Sequence, residues 1–264
     1  MGEFLVNRYS LPEAYHQALM TLYNFGDIVP CPDWNTEQKE VSMTMVVQNP
    51  LAEPLISKCF IGGPKDLEQY RQEMLDGILD FEIDRGNWKY TYHDRMVNYS
   101  IDNQIKFPNQ LTINQIQFVI DELKRNPDSR RAVIDIRDNS DDIYSDDPAC
   151  LQHIQYFIRL GRLDCKVLFR SNDACKAAFM NAFALIMLQK KIADMIGIEI
   201  GTYTHRANSF HCYARDYDLL KGYVTRIMNS KKSELAYSYI DDWELLMDEV
   251  KEEIATNVNN LKNN

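Results

Sequence analysis

The chain has 264 residues, 45% hydrophobic and 26% charged, the balance of a globular protein able to bury a sizeable core. Acidic residues outnumber basic ones 39 to 29, a formal charge of −10, which excludes a protein that coats nucleic acid but leaves room for a local basic pocket taking one small anion. No apolar run reaches membrane-span length and Met1-Gly2-Glu3-Phe4 lacks signal-peptide character; with six scattered cysteines and no CxxC pair, reduced thiols in the cytoplasm are expected.

In chain order, Leu11-Pro12-Glu13 opens a helix within residues 1–26, with Ala14, Ala18, Leu19 and Leu22 at helical spacing. Residues 42–48 read as a strand ending at the Asn49-Pro50 turn. After Gly62-Gly63-Pro64, a helix from Asp66 to Leu79 carries Leu67, Tyr70, Met74 and Leu75 on one side. Gly86 to Tyr99 is aromatic and irregular. Ile113, Ile116, Val119, Ile120 and Leu123 stripe a helix from Thr112 to Arg125, stopped by Asn126-Pro127-Asp128. A short strand, Ala132 to Ile136, precedes the acidic, turn-rich stretch Asp138 to Asp147. Strands Ile154 to Leu160 and Leu163 to Arg170, separated by Gly161-Arg162, read as a hairpin. Asn181 to Ile196 is the most apolar helix, Ile198 to Thr204 is another strand, and the tail from Asp241 is helical and polar. Mixed elements with no repeat or linker give the expected fold class: α/β (α+β), a single domain over residues 1–264 with a large mixed β-sheet flanked by helices.

Glycine-rich dinucleotide and Walker loops, HExxH and paired CxxC are all absent. The Asp138-Asn139-Ser140-Asp141-Asp142 run lacks the glycine and glutamate of a calcium loop, so no metal is expected. Three features stand above background. In Asp128-Ser129-Arg130-Arg131, two guanidinium forks suit a phosphate dianion; as neighbours on a strand they point to opposite faces, so one ligand meets both only at the strand end or across an interface. Cys150, after Asp146-Asp147-Pro148-Ala149, sits at a loop-to-strand junction and needs a nearby cation to become a thiolate. The hairpin returns Arg170 towards it. Arg170-Ser171-Asn172-Asp173, with Asn181 beyond, is a polar cluster between an apolar strand and an apolar helix, where each group must find a partner or a ligand.

Taken with Ser209-Phe210-His211-Cys212-Tyr213 and Asn181-Ala182-Phe183-Ala184-Leu185, these blocks resemble the thymidylate synthase family, its archaeal-type branch in particular, most clearly over residues 110–220. The resemblance implies that Cys150 is the nucleophile at pyrimidine C6, that Arg170 and Ser171 hold the substrate phosphate, and that Arg130 and Arg131 reach the same phosphate across a homodimer whose sheets pack back to back. It makes Asn181 the base-reading amide. Asn172 falls within the substrate-binding block, Asp173 contacts substrate and the pterin ring, and His211 and Tyr213 bind the sugar 3′-hydroxyl. Glu73 becomes the general acid/base carboxylate and Tyr92 the tyrosine beside the nucleophile. The substrate is then dUMP and the co-substrate 5,10-methylenetetrahydrofolate or a modified pterin, with no membrane or nucleic-acid partner.

Departures from the family pattern are Leu151 after the nucleophile, Ala174 to Phe179 in place of a glycine-rich stretch, and the polar tail Asn259-Asn260-Leu261-Lys262-Asn263-Asn264 where the family carries an apolar end. The N-terminal arginine loop that clamps phosphate in bacterial members is not evident, and Lys39 is the expected substitute for it. Three other readings stay open: a pyrimidine nucleotide 5-hydroxymethylase acting on dUMP or dCMP, a cysteine hydrolase pairing Cys150 with His153 or His211, and a nucleotide-binding protein without catalysis.

Overall fold

Ser10 separates the first strand from the first helix: its hydroxyl accepts from the Glu13 N–H at 3.4 Å, and Pro12 follows within the first turn. The computed structural model describes residues 1–100 and 112–263, so residues 110 and 111 of the similarity segment, and Asn264 of the tail, lie outside the described residues. The first half contains β1 (Glu3–Arg8), α1 (Leu11–Phe25), β2 (Asp27–Cys31), β3 (Thr36–Val47), β4 (Ile56–Ser57), α2 (Pro64–Asp76), α3 (Phe81–Asp84), α4 (Tyr92–Val97) and β5 (Tyr99–Ser100). The second contains β6 (Thr112–Ile113), α5 (Gln115–Arg125), β7 (Val133–Asp135), α6 (Asn139–Asp142), β8 (Leu151–Arg159), β9 (Arg162–Asp173), α7 (Ala178–Ile196), β10 (Glu199–Tyr213), α8 (Tyr217–Asn229), β11 (Ala236–Tyr237), α9 (Glu244–Glu249) and α10 (Lys251–Asn263).

Seven strands form one mixed sheet in the order β1-β3-β10-β9-β8-β7, with β2 also on β3. β1–β3 and β9–β10 are parallel, the other pairs antiparallel, as a βαβ crossover through α7 next to a tight hairpin requires. The expected α/β fold with a large mixed sheet flanked by helices is therefore what the chain adopts. The β8–β9 turn is Leu160-Gly161, both at positive φ (51° and 75°), one residue earlier than the sequence suggests; Arg162 already pairs with Arg159. This is the twist a two-residue hairpin demands, and Gly161 meets it without strain.

Helices α1 and α7 cover one face of the sheet, with α2 on α7 and α8 on α1. The buried layer beneath them includes Tyr15, Phe169, Phe183, Tyr203 and Phe210. Residues alternating with that layer, such as Thr44, Val46, Phe157, Leu168 and Thr204, are only half-buried. A second small cluster joins Leu79, Ile254 and Val258, seating α10 against the segment after α2. No helix among the described residues is long and apolar enough to cross a membrane.

Candidate active site

Strand directions bring three chain segments to one end of the sheet. β8 runs against β9 and β9 runs with β10, so the start of β8 lies beside the ends of β9 and β10. Cys150 immediately precedes β8; its carbonyl accepts from the Arg170 N–H at 2.8 Å. A register shift between Leu151 and His153 bends the strand just beyond it. Asp173 pairs with His211, and Ser171 with Ser209.

The Arg170 guanidinium turns back onto the cysteine loop, where Nε donates to the Ala149 carbonyl at 3.1 Å and Nη2 to that of Pro148 at 2.6 Å. It fixes the backbone carrying the thiol and places positive charge near sulfur. Burial pushes the Cys150 thiol above the usual range, Arg170 pulls it down and Asp147 pushes it up again. The net direction is upward, so without substrate the neutral thiol predominates at pH 7.

Aromatic side chains and one carboxyl form the opposite wall. The Tyr92 hydroxyl accepts from the Leu151 N–H at 3.3 Å, tying the wall to the residue after the nucleophile. The Tyr70 hydroxyl donates to Asn181 Oδ1, linking α2 to the first turn of α7. Glu73, one turn beyond Tyr70, accepts from Gln69 Nε2 at 2.9 Å; burial raises its pKa, and that hydrogen bond lowers it. Tyr70, Glu73, Trp88, Tyr90 and Tyr92 line a cavity of about 250 Å³. Its rim is closed by Asp80, which accepts from Thr91 Oγ1 at 2.5 Å and pairs with His93 at 2.6 Å.

A second polar group lies at the ends of β9 and β10. His211 Nδ1 is 3.4 Å from Ser171 Oγ and 3.3 Å from the Ser209 carbonyl, while buried Nε2 has no partner among the described residues. Burial lowers its pKa and keeps the ring neutral. Tyr213 meets that ring edge-on, centroids 4.7 Å apart. Asp173 Oδ1 accepts from the backbone of Cys175 and Lys176 at 2.9 and 3.1 Å. Asn172 turns the other way, its Oδ1 accepting from His205 Nε2 at 2.9 Å inside the core.

Cys150, Arg170, Tyr92, Asn181 and Glu73 are thus brought together, with Ser171, Asp173, His211 and Tyr213 beside them. The arginine pair is not. The Arg130 carbonyl accepts from Gln155 Nε2 at 3.0 Å, five residues along β8 from Cys150, or roughly 17 Å at about 3.3 Å per residue. Arg131 is exposed and pairs with Glu122 at 2.9 Å. Lys39 is committed to the Tyr23 carbonyl at 2.6 Å. Among the described residues no hydrogen bond joins Cys150 to a histidine: His153 lines a separate cleft with Tyr99 and Arg137, so the hydrolase dyad is not formed. Among the described residues no group of three or more His, Cys, Asp or Glu is placed to hold a metal ion. Sequence reasoning missed Tyr70, Trp88 and Tyr90 as site residues; the available signal was Tyr70 lying one turn before Glu73 on the same helix face.

The sequence model of the family described as thymidylate synthase matches residues 61–254. A Methanocaldococcus jannaschii protein named "Putative thymidylate synthase" is 33% identical over 227 residues, covering 83% of this chain and 95% of its own length. A protein of the same name from Methanosarcina mazei is 25% identical over 225 residues, 84% of this chain and 95% of its own. Among solved structures, thermostable thymidylate synthase A from Bacillus subtilis superposes with a TM-score of 0.63 at 18% identity, covering 82% of this chain and 84% of that one; this likeness is one of fold.

Proposed function

Because the chain belongs to the thymidylate synthase family, we propose that it methylates dUMP to dTMP, with 5,10-methylenetetrahydrofolate donating carbon and hydride. One juxtaposition supports this reading most: a half-buried cysteine on an arginine-clamped loop, beside a part-buried tyrosine–asparagine pair and a carboxyl whose pKa is raised by burial.

In the proposed reaction the Cys150 thiolate adds to uracil C6, and the displaced electron pair moves through C5 towards O4, giving C5 the nucleophilicity that a pyrimidine lacks. Asn181 accepts from N3–H and donates to O4, where negative charge develops. Glu73 still holds its proton closer to neutral pH than an exposed carboxyl would, and moves it at O4 through water. The remaining donors of Arg170, together with Ser171, bind phosphate next to sulfur. A 3′-hydroxyl would supply the partner that buried His211 Nε2 lacks, with Tyr213 beside it. Tyr92 braces the Leu151 N–H.

The folate, when bound, supplies the one-carbon unit and the hydride. The Trp88 and Tyr90 walls suit its flat rings, and Asp173 keeps Oδ2 free for the pterin. Arg130 and Arg131, too far from their own Cys150, serve the partner's site in a cytoplasmic homodimer. The half-buried sheet face around Val46, Phe157 and Leu168 is where the copies pack.

One observation favours hydroxymethylation as a second reading. α10 packs through Ile254 and Val258 on Leu79, yet no α10 residue lines the cavity, which is open to water. Product mass separates the two. Turnover of dUMP with methylenetetrahydrofolate is expected to add a methyl group and release dihydrofolate; a hydroxymethyl product would select the second reading, and no product at all would refute both.

A further inference from the structure

The family's asparagine reads uracil only if its amide faces the right way. Uracil offers a donor at N3 and an acceptor at O4, whereas cytosine offers an acceptor at N3 and a donor at N4. A primary amide can turn over and match either edge, because oxygen and nitrogen simply exchange places. Asn181 in a free pocket would therefore discriminate poorly between dUMP and dCMP.

In this chain the amide is not free. Tyr70, on α2, donates its hydroxyl to Asn181 Oδ1 from a position 111 residues away in sequence. Asn181 is 5% exposed, and its Nδ2 has no protein partner among the described residues. Burial, with Glu73 and Cys150 nearby, raises the Tyr70 phenol, so it remains protonated throughout the working pH range and keeps its donor. Turning the amide over would let the phenol oxygen accept from Nδ2–H but would leave the phenol's own O–H without an acceptor among the described residues, since Asn181 Oδ1 is its partner there. One lone pair of Oδ1 remains for a ligand N–H, and Nδ2 remains for a ligand carbonyl, which is the edge of uracil.

Building on the proposed function, we infer that Tyr70 is a specificity-determining positioning residue: through its hydrogen bond to Oδ1 it holds Asn181 in the uracil-reading orientation. Tyr70 itself need not touch the base. The penalty it imposes on cytosine is the pair of mismatched contacts that a locked amide cannot relieve.

The test compares kcat/KM for dUMP and dCMP in wild-type protein, Tyr70→Phe, Asn181→Ala and the double variant. Tyr70→Phe keeps the ring and removes only the hydroxyl. Wild-type protein is expected to favour dUMP, and Tyr70→Phe to lower the dUMP/dCMP ratio by about 10-fold, the scale of one hydrogen bond. In the Asn181→Ala background the same substitution is expected to leave the ratio unmoved, since Tyr70 then has nothing to orient. A ratio unchanged in Tyr70→Phe, or an equal fall with and without Asn181, would overturn the inference while leaving the proposed function standing. A wild-type protein that processes neither nucleotide would instead remove the function on which the inference rests.

Discussion

In the proposed reaction Cys150 is a nucleophile held in reserve. Its sulfur is half-buried beside Tyr70, Tyr90 and Tyr92, and desolvation outweighs the pull of Arg170. A raised thiol pKa means that the thiolate fraction grows as pH rises, with the rise displaced to more alkaline pH than for a free thiol. The rate of covalent capture of 5-fluoro-dUMP is therefore expected to climb from pH 6 through 9, about tenfold per pH unit while the thiol predominates. A rate flat over that range, read by stopped mass spectrometry, would mean that the thiolate is already formed. Arg170→Leu should slow capture at every pH, because it removes both the charge near sulfur and the clamp on Pro148 and Ala149.

Among the elements, the segment between α2 and α4 carries the rim of the cavity, and one glycine makes its geometry feasible. Gly77 ends α2 at φ 62°, and a Cβ there would collide with His93 and Asp80, the pair that closes the rim. Gly77→Ala is expected to cost at least about 1 kcal/mol from the left-handed backbone alone, lowering Tm by roughly 2–4 °C. It should also raise KM for the folate more than for dUMP. An unaltered Tm would contradict the assignment of strain to this turn. Why some elements were legible and others not follows from the same kind of detail. α1, α5 and the β8–β9 hairpin show clear apolar periodicity, because one face of each is buried, whereas α7 shows as an apolar run because Ala182 to Ile186 are buried without a break. β1 buries only Val6, an edge strand with no alternation to read. β10 was expected to end at Thr204 but runs to Tyr213, because its far half carries polar residues on its buried face: His205 is satisfied by Asn172 and Tyr203, and His211 Nε2 has no partner among the described residues. The three sequence blocks that the fold brings together, around Cys150, Arg170 and His211, could be picked out because their chemistry is local to each block. The Tyr70–Asn181 bond was not, since only the docking of α2 on α7 creates it.

At the scale of the whole molecule, the proposed function assigns Arg130 and Arg131 to the site of a second copy. The Arg130 carbonyl meets Gln155, five residues along β8 from Cys150, and Arg130 and Arg131 are both exposed. If they serve the partner's phosphate, two inactive variants should complement each other. Mixing Arg130→Ala/Arg131→Ala protein with Cys150→Ser protein, after dissociation and reassembly, is expected to restore roughly a quarter of wild-type activity, because half the dimers are mixed and each has one intact site. No recovery would place the arginines in their own chain's site or outside catalysis. The central claim is that Cys150 forms a covalent bond to the pyrimidine. It is tested most directly by incubating the protein with 5-fluoro-dUMP and methylenetetrahydrofolate and weighing the intact and digested chain. The account predicts a mass increase equal to nucleotide plus folate, located on the peptide containing Cys150 and absent in Cys150→Ser; an unmodified chain, or an adduct on any other residue, would contradict it.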